Sequence, residues 1–340
     1  MIVMSSDKKS ATKSRKDDHI RICLEKNVEF AKPNGFDRVE LEHSALPEIE
    51  RKEIDLSTKF LGKKFRYPLF IEAITGGTEQ GERINKNLAA AAEALGIGMG
   101  VGSQRAMLED AKATRTYAVR DVAPGIFLLG NIGAAQLRNY DTSRVLALVE
   151  AIKADGLAVH LNVAQELAQK EGDKSWKGVF DDIKALCAKS KVPIIAKETG
   201  CGISGKLSKS LVTAGVKAID IAGAGGTSWV KVDSHRTEED VSHIAEWGIP
   251  TAAALKDVAG SVEVPIIASG GIRNGVEVAK AIAMGADLVG MALPLLKPAT
   301  ESSESVRKHL EKIISQLEDA MFLVGARNVA ELKKVKVIYV

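Results

Sequence analysis

Short apolar runs recur along most of the chain, and amphipathic helical patterns separate most of them. The eight runs cover residues 69–74, 97–101, 126–129, 157–159, 194–196, 218–222, 266–268 and 288–292. The helical patterns between them include residues 83–95, 144–154, 180–189, 207–214 and 276–284. Continuous apolar strands that alternate with helices indicate a parallel sheet that is buried on both faces. Eight such units predict an α/β fold, a closed (β/α)8 or TIM barrel.

A doubly wound open sheet is the alternative arrangement of the same units. It is disfavoured because no Gly-x-Gly-x-x-Gly follows the first strand, where a dinucleotide-binding sheet would carry it. We therefore expect one barrel domain at residues 67–340, preceded by a flexible N-terminus at 1–14 and a substrate-capping segment at 15–66. A long insertion at 227–249 follows the sixth strand, and its two tryptophans predict a lid.

The first 65 residues do not follow the barrel repeat. Val28-Glu-Phe, Val39-Glu-Leu-Glu and then residues 54–65 predict an extended, hairpin-rich cap over one end of the barrel. The opening dozen residues are polar and rich in Ser and Lys, which predicts disorder.

Charge and composition exclude several classes of function. The net charge is +3, from 47 basic and 44 acidic residues, and the first 21 residues supply that excess. A nucleic-acid binder would spread basic residues over a face, and 4% aromatic residues are too few for a base-stacking platform or a membrane-interface belt. The start lacks the apolar core of a signal peptide, and the three cysteines have no CxxC spacing. These features predict a cytoplasmic protein in a reducing compartment, without nucleic-acid or membrane partners.

Polar residues follow the apolar runs, and the densest cluster is His160-Leu-Asn162-Val-Ala-Gln165-Glu166. We expect it at the carboxyl end of the fourth barrel strand, where this architecture collects its functional groups. No Ser or Cys stands in the cluster to act as a nucleophile. The cluster therefore suits orienting a polar ligand, moving a proton or holding a hard metal ion.

Two neighbouring strand ends indicate a phosphate site. Ser269-Gly270-Gly271 follows the seventh strand, and Gly290-Met-Ala292 lies beside it at a helix start. Flavin mononucleotide (FMN), ribose phosphates and phosphosugars would all fit. Lys197 at the fifth strand end could form a Schiff base, donate to a flavin ring or pair with Glu198. Hydroxyl and amide groups on earlier strands, Thr75, Ser103 and Asn131, suit the edges of a flat heteroaromatic ring and favour flavin.

At this point the motifs carry a resemblance: the chain resembles the type 2 isopentenyl diphosphate isomerases, which depend on FMN. The resemblance spans nearly the whole length. Its motifs are Arg15-Lys-Asp-Asp-His19, Ile74-Thr-Gly-Gly77, Gly102-Ser-Gln-Arg105, Gly130-Asn131, the His160 to Glu166 cluster, Lys197-Glu-Thr-Gly, Gly225-Gly-Thr-Ser-Trp229, Ser269-Gly-Gly-Ile-Arg273 and Gly290-Met-Ala-Leu293. Each motif is weak alone, but their order and spacing together are specific.

The resemblance implies the residues of the site. For FMN it implies contacts from Ala73, Ile74, Thr75, Ser103, Asn131, Lys197, Thr227, Gly271, Ile272, Arg273, Ala292 and Leu293. For the substrate diphosphate it implies Arg15, Lys16, His19, Ser103, Gln104, Arg105, His160 and Asn162. Glu166 would hold Mg2+, and Gln165 would face the reacting carbons, so Gln165 and His160 are the candidate catalytic residues.

The implied reaction moves the double bond of isopentenyl diphosphate to give dimethylallyl diphosphate in isoprenoid biosynthesis. Reduced FMN would act as acid and base, and NADPH would reduce it. Proteins of this kind are homo-oligomers, such as tetramers or octamers, and the helical pattern at 310–323 could serve an interface.

One position departs from the family pattern. Asp233 stands where the family commonly carries a glutamate, and its shorter side chain predicts a solvated lid residue near Lys231 and Arg236 at least as well as a site residue. The enzyme alternative is an FMN barrel that oxidises a hydroxy acid or a nucleotide, although no His base follows a late strand. A flavin-binding scaffold is the non-enzyme alternative, and the rich polarity of the barrel mouth argues against it.

Overall fold

The computed structural model describes residues 6–237 and 240–340 of the chain. The strands it contains are β1 Val39–Leu41, β2 Thr58–Phe60, β3 Lys63–Phe65, β4 Leu69–Ile71, β5 Gly98–Gly100, β6 Leu128–Gly133, β7 Gly156–Leu161, β8 Ile194–Glu198, β9 Ala218–Asp220, β10 Ile266–Ser269, β11 Leu288–Met291 and β12 Val337–Tyr339. Strands β4 to β11 are parallel and close into a barrel, with β11 pairing β4. The predicted (β/α)8 barrel is confirmed, and each of the eight apolar runs overlaps one of its strands.

Helices surround this barrel. They are α1 Ser6–Glu25, α2 Glu79–Leu95, α3 Arg105–Glu109, α4 Thr142–Ala151, α5 Val163–Ala168, α6 Val179–Lys189, α7 Gly205–Thr213, α8 Trp229–Ser234, α9 Thr251–Ala259, α10 Gly275–Ala283, α11 Leu293–Glu301, α12 Ser303–Leu323 and α13 Val329–Leu332. Several begin at hydrogen-bonding caps: the side chain of Thr78 accepts from the N–H of Gly81, and that of Asn274 from Glu277. The apolar helix faces cover the strands, which are themselves buried on both faces.

The region before the barrel differs from the predicted cap. Val39–Leu41 pairs with the C-terminal strand Val337–Tyr339 rather than with a strand at Val28. A hairpin is present within the predicted residues 54–65, where β2 pairs with β3. Its Phe60 and Phe65 pack on Phe127, which directly precedes β6, so the hairpin closes the amino-terminal end of the barrel.

The opposite end of the barrel is covered by helix α1. The helix begins at Ser6, inside the segment 1–14 that composition predicted to be flexible; residues 1–5 lie outside the described part. It packs on α3, α8 and α11, which follow carboxyl ends of barrel strands. Among its described side chains, residues 14–25, Ile20 and Ile22 are buried. The sequence of the helix has no regular apolar stripe, and the periodicity therefore did not predict a helix.

The insertion after the sixth barrel strand forms α8 and a short 3-10 helix at Ser242–Ile244. Helix α8 packs on both α1 and α5, so the insertion lies over the same barrel end as α1. Trp229 lies at its inner side, whereas Trp247 is 68% exposed.

The helix expected at 310–323 is part of α12, but its apolar face does not point outwards. Leu310, Ile313, Leu317 and Met321 are buried, and α12 packs on α2, α10 and α11 of the same chain. This face is therefore part of the core and is not free for an interface. No described helix is both long enough and apolar enough to cross a membrane.

Candidate active site

One cavity opens at the carboxyl ends of the barrel strands, beneath α1 and α8. With one exception, every residue predicted for the site lines it: Arg15, Lys16, His19, Ala73, Ile74, Thr75, Ser103, Arg105, Asn131, His160, Asn162, Gln165, Glu166, Lys197, Thr227, Gly271, Ile272, Arg273, Ala292 and Leu293. They meet because parallel strands of a closed barrel bring all their carboxyl ends to one rim.

The exception is Gln104, which the structure buries completely behind the cavity wall. Its Oε1 accepts a hydrogen bond from the backbone N–H of Asn131 at 2.9 Å, and its Nε2 donates to the carbonyl of Leu148 at 3.1 Å. Both polar ends of the amide are thus used by the scaffold. Gln104 holds the backbone of Asn131, and the expectation that it contacts the substrate is wrong.

Three cations converge at one corner of the cavity. Arg15 and Lys16 come from α1, and Arg105 begins α3. Arg105 pairs with Glu109 at 2.9 Å and Arg15 lies 3.6 Å from Glu171. Lys16 contacts neutral oxygens among the described residues, the carbonyl of Ser103 at 2.8 Å and the hydroxyl of Tyr117 at 2.6 Å. Burial and the nearby Arg15 lower the pKa of Lys16 to about 7, so this corner would be stabilised by an anion.

His160 and Asn131 form a polar pair on adjacent strands β7 and β6. His160 Nδ1 lies 2.7 Å from Asn131 Oδ1, which as an acceptor assigns the proton to Nδ1. Burial, and then the charges of Lys197 and Lys16, lower the pKa of His160 to about 3. The imidazole is therefore neutral at pH 7, and its Nε2 is free of a proton.

Asn162, Gln165 and Glu166 form a linked group on the first turn of α5. Asn162 Nδ2 donates to Gln165 Oε1 at 3.2 Å and to Glu166 Oε1 at 3.0 Å. The other carboxylate oxygen of Glu166 accepts from the N–H of Asp173 at 2.7 Å. Asn162 Oδ1 is buried and has no partner among the described residues. A buried acceptor left free beside a carboxylate suits a divalent cation that prefers oxygen ligands.

Asp233 is fully buried, so the prediction of a solvated lid residue is wrong. Its carboxylate lies 3.2 Å from His19 Nε2 and accepts from Gln165 Nε2 at 3.1 Å, Gln169 Nε2 at 2.9 Å and Arg236 Nε at 3.1 Å. Burial alone would raise the pKa of Asp233, but these hydrogen bonds outweigh burial and hold the pKa at about 2. The aspartate thus ties α1, α5 and α8 together at the cavity wall.

Lys197 pairs with two carboxylates deep in the barrel rather than with the carboxylate of Glu198. Its Nζ lies 3.2 Å from Asp220 Oδ2 and 3.4 Å from Glu72 Oε2. Burial opposes the charge of Lys197, but these carboxylates outweigh it and raise its pKa. Burial and Asp220 together raise the pKa of Glu72 to about 8. Glu72 Oε1 is buried without a partner, which leaves a hydrogen-bonding atom for a bound molecule.

The predicted phosphate site has the geometry that an anion requires. Helix α11 begins at Leu293 and its N-terminus has no side-chain cap. Pro294 has no N–H and the N–H of Leu295 donates to the carbonyl of Ala292 at 2.9 Å, so in this turn the N–H of Leu293 is left for a ligand. Gly270 and Gly271 lie beside it with φ of +108° and +75°, a backbone that other residues rarely adopt. Together with the polar rim, this cradle fits a flavin phosphate.

Comparison with known proteins agrees with this assignment. The FMN-dependent dehydrogenase family matches residues 20–129 and 139–338. Among solved structures, a lactate oxidase of Pediococcus acidilactici is similar in fold, with a TM-score of 0.71 and 17% sequence identity. The superposition covers all of this chain and 96% of the oxidase chain. A mandelate oxidase covers 99% of both chains at a TM-score of 0.65 and 17% identity. Fold and family thus define an FMN-dependent barrel, and identity this low shows a shared fold alone.

The curated relatives give the narrower family. An isopentenyl-diphosphate delta-isomerase of Pyrococcus furiosus is 48% identical over 98% of this chain and 88% of its own length. The protein of the same name from Nostoc is 46% identical over 95% of this chain and 94% of its own length. The chain belongs to the isopentenyl-diphosphate delta-isomerase family, in its FMN-dependent form.

Sequence reasoning missed several groups of the site. Glu72, Asp220, Gln169, Gln136 and Trp229 contribute to the cavity or support its residues. Glu72 and Asp220 could have been found, because each is a single charge inside an otherwise apolar strand run. Gln169 carried no such signal, since its role depends on how α5 and α8 pack.

Proposed function

We propose that this protein converts isopentenyl diphosphate to dimethylallyl diphosphate with the help of bound FMN. The observation that carries the proposal is the identity of 46% to 48% with isopentenyl-diphosphate delta-isomerases over nearly the whole chain. The cavity supports it, because a corner of cations lies beside an apolar wall of Ile20, Trp229 and Leu293. Such a cavity can hold a diphosphate at one end and a short hydrocarbon at the other.

The diphosphate end would lie in the corner of Arg15, Lys16 and Arg105, with His19 and Ser103 beside it. Guanidinium groups bind phosphate oxygens with two donors at once. Burial, and after it the repulsion between neighbouring cations, lowers the pKa of Lys16 and Arg15, and a bound anion would offset both effects. In this role α1 both supplies charge and covers the bound substrate.

A divalent cation, Mg2+, would be held by Glu166. One carboxylate is enough when diphosphate oxygens and water complete an octahedron. The unpartnered Oδ1 of Asn162 beside Glu166 supports this site. Among the residues that the structure describes, no group of three or more His, Cys, Asp and Glu side chains could hold a metal, which fits a cation shared with its substrate.

Moving the double bond adds a proton at the terminal methylene and removes one from C2, through a species that resembles a tertiary cation. Reduced FMN would supply an electron-rich face and a proton site there, and NADPH would keep it reduced.

Gln165 is an amide fixed by Asn162 and Asp233, so it orients the hydrocarbon rather than exchanging protons. Neutral His160, with its proton on Nδ1, would offer Nε2 as an acceptor to a donor such as a water beside the diphosphate, and not to a phosphate oxygen. The apolar wall keeps water from the cation.

Replacement of the flavin tests this chemistry. We expect that reconstitution with an analogue carrying carbon at position 5 abolishes isomerisation while the protein still binds the analogue. Reconstitution with FMN in parallel controls for loss during the exchange. Full activity with the analogue would contradict the acid–base role of the flavin.

We also propose a cytoplasmic homo-oligomer, a tetramer or an octamer, on the strength of the family resemblance. The three cysteines are free, as a reducing compartment would leave them. Light scattering of the FMN-loaded protein would give the subunit number. A monomer at all concentrations would contradict the proposal.

A further inference from the structure

Tyr117 contacts Lys16 in the cavity corner formed by Arg15, Lys16 and Arg105, which we call the substrate corner. Its hydroxyl donates to the carbonyl of Ser103 at 2.7 Å and accepts from Lys16 Nζ at 2.6 Å. Lys16 Nζ also donates to the same carbonyl at 2.8 Å. The ammonium lies 5.1 Å from the centre of the phenol ring. Lys16 is thus bound on one side by the ring, the hydroxyl and the carbonyl.

The position of Tyr117 is rigid. The side chain is fully buried, and a Cβ at Gly76 would overlap its ring, so the Gly76-Gly77 pair leaves the space that it fills. The preceding residue, Thr116, accepts from the N–H of Gly77 at 2.7 Å. Asn85 donates to the carbonyls of Thr75 and Thr116. The tyrosine is therefore part of the barrel scaffold, not of the terminal helix that it contacts.

The hydroxyl stays protonated because burial, and then Glu109, raise the pKa of Tyr117. Its proton is used on the carbonyl of Ser103, so towards Lys16 the oxygen can only accept. The ammonium has three N–H groups, of which the carbonyl and the hydroxyl take two. The third remains for an anion in the cavity.

Helix α1 has few polar ties to the barrel. In the described part of the helix they are Lys16 to Tyr117 and Ser103, Arg15 to Glu171 and His19 to Asp233. Glu171 is 47% exposed and Asp233 lies on the inserted α8, so the Lys16 contacts are the ones that reach the barrel scaffold itself.

We propose that Tyr117 is a positioning residue, which holds Lys16 against the barrel and thereby docks helix α1 over a bound diphosphate. The identity of the ligand in this inference rests on the proposed function. The contacts among Tyr117, Lys16 and Ser103 do not depend on it. Gly76, after the first barrel strand, then serves to leave the space that the ring of Tyr117 fills.

Tyr117→Phe tests the proposal, because it removes the hydroxyl alone and leaves the carbonyl of Ser103 with Lys16 as its donor. We expect KM for isopentenyl diphosphate to rise about tenfold, the usual effect of losing one hydrogen bond to a charged group. We expect kcat within about twofold of wild type and an unchanged FMN affinity. Tyr67→Phe is the matched control, since Tyr67 lies before β4 at the other end of the barrel. A KM unchanged in Tyr117→Phe would overturn the proposal.

A double-mutant cycle with Lys16→Met separates positioning from a general structural role. The readout is the affinity for inorganic pyrophosphate, measured by calorimetry on the FMN-loaded protein with Mg2+. We expect Tyr117→Phe to weaken binding in the wild-type background and to have almost no effect in Lys16→Met. Equal effects in both backgrounds would overturn the proposal. Because this readout needs no turnover, coupled binding without isomerisation would count against the proposed function and leave the role of Tyr117 standing.

Discussion

Asp233 shows how much one buried carboxylate contributes to the site. It contacts side chains from α1 and α5 and from the end of α8, and its shorter chain suffices because those elements pack closely around it. The sequence alone indicated a solvated residue, since charged neighbours on both sides are typical of an exposed loop. Burial of this position depends on the packing of α1 on α8, and local pattern does not encode that packing.

The depressed pKa of Asp233 predicts a dependence of stability on pH. A carboxylate with a pKa of about 2 in the folded protein, against an ordinary value of 3.8, stabilises the fold above pH 4. That stabilisation is lost as pH falls through the interval between the two values. We expect wild type to lose on the order of 1 kcal/mol more than Asp233→Asn between pH 5 and pH 3. Urea unfolding at both pH values measures this, with the exposed Asp37→Asn as control. Equal losses in wild type and Asp233→Asn would contradict the prediction.

Glu166 leads to a second prediction at the scale of a residue. Glu166→Ala removes the proposed carboxylate ligand of Mg2+ while the flavin cradle at Gly270, Gly271 and α11 stays intact. We expect substrate binding to lose its dependence on Mg2+, and KM to rise by one to two orders of magnitude. FMN affinity should equal that of wild type. Titration with Mg2+ at fixed substrate, together with flavin fluorescence, checks both. An unchanged response to Mg2+ would show that Glu166 does not hold the metal.

At the scale of elements, the barrel strands could be predicted and the parts before the barrel could not. Each barrel strand is a buried apolar run, and such runs are visible without knowledge of the fold. Helix α1 is held by contacts to other elements and has no stripe of its own. The pairing of β1 with β12 joins residues as far as 300 positions apart, Val39 with Tyr339. Local sequence carries no signal for such a contact.

The β2–β3 hairpin gives a prediction for this scale. Phe60 is buried against Phe65 and Phe127 at the amino-terminal end of the barrel. Phe60→Ala should lower the free energy of unfolding by about 3 to 5 kcal/mol, because it empties a packed aromatic site. KM and FMN affinity should not change in the folded protein. Denaturant unfolding and kinetics measure the two effects, and the exposed neighbour Lys59→Ala is the control. If Phe60→Ala raised KM as much as Tyr117→Phe does, the claim that the amino-terminal end of the barrel serves stability and not substrate binding would be contradicted.

Across the whole molecule, the two ends of the barrel have different tasks. The amino-terminal end is closed by aromatic packing, whereas the carboxyl end collects cations, amides and carboxylates under a helix from outside the repeat. Most site residues could be predicted, since each follows a strand and a barrel brings strand ends together. Gln104 was predicted to line the cavity but is buried behind its wall. A side chain at a strand end can point into the cavity or away from it, and tertiary packing decides between the two directions.

The central claim is that this cavity isomerises isopentenyl diphosphate with reduced FMN. The most direct measurement is anaerobic incubation of the purified protein with isopentenyl diphosphate, Mg2+, FMN and NADPH, followed by analysis of the products. We expect dimethylallyl diphosphate to form, with no net consumption of NADPH beyond the initial reduction of the flavin. Absence of dimethylallyl diphosphate from a protein that has bound and reduced its flavin would contradict the account.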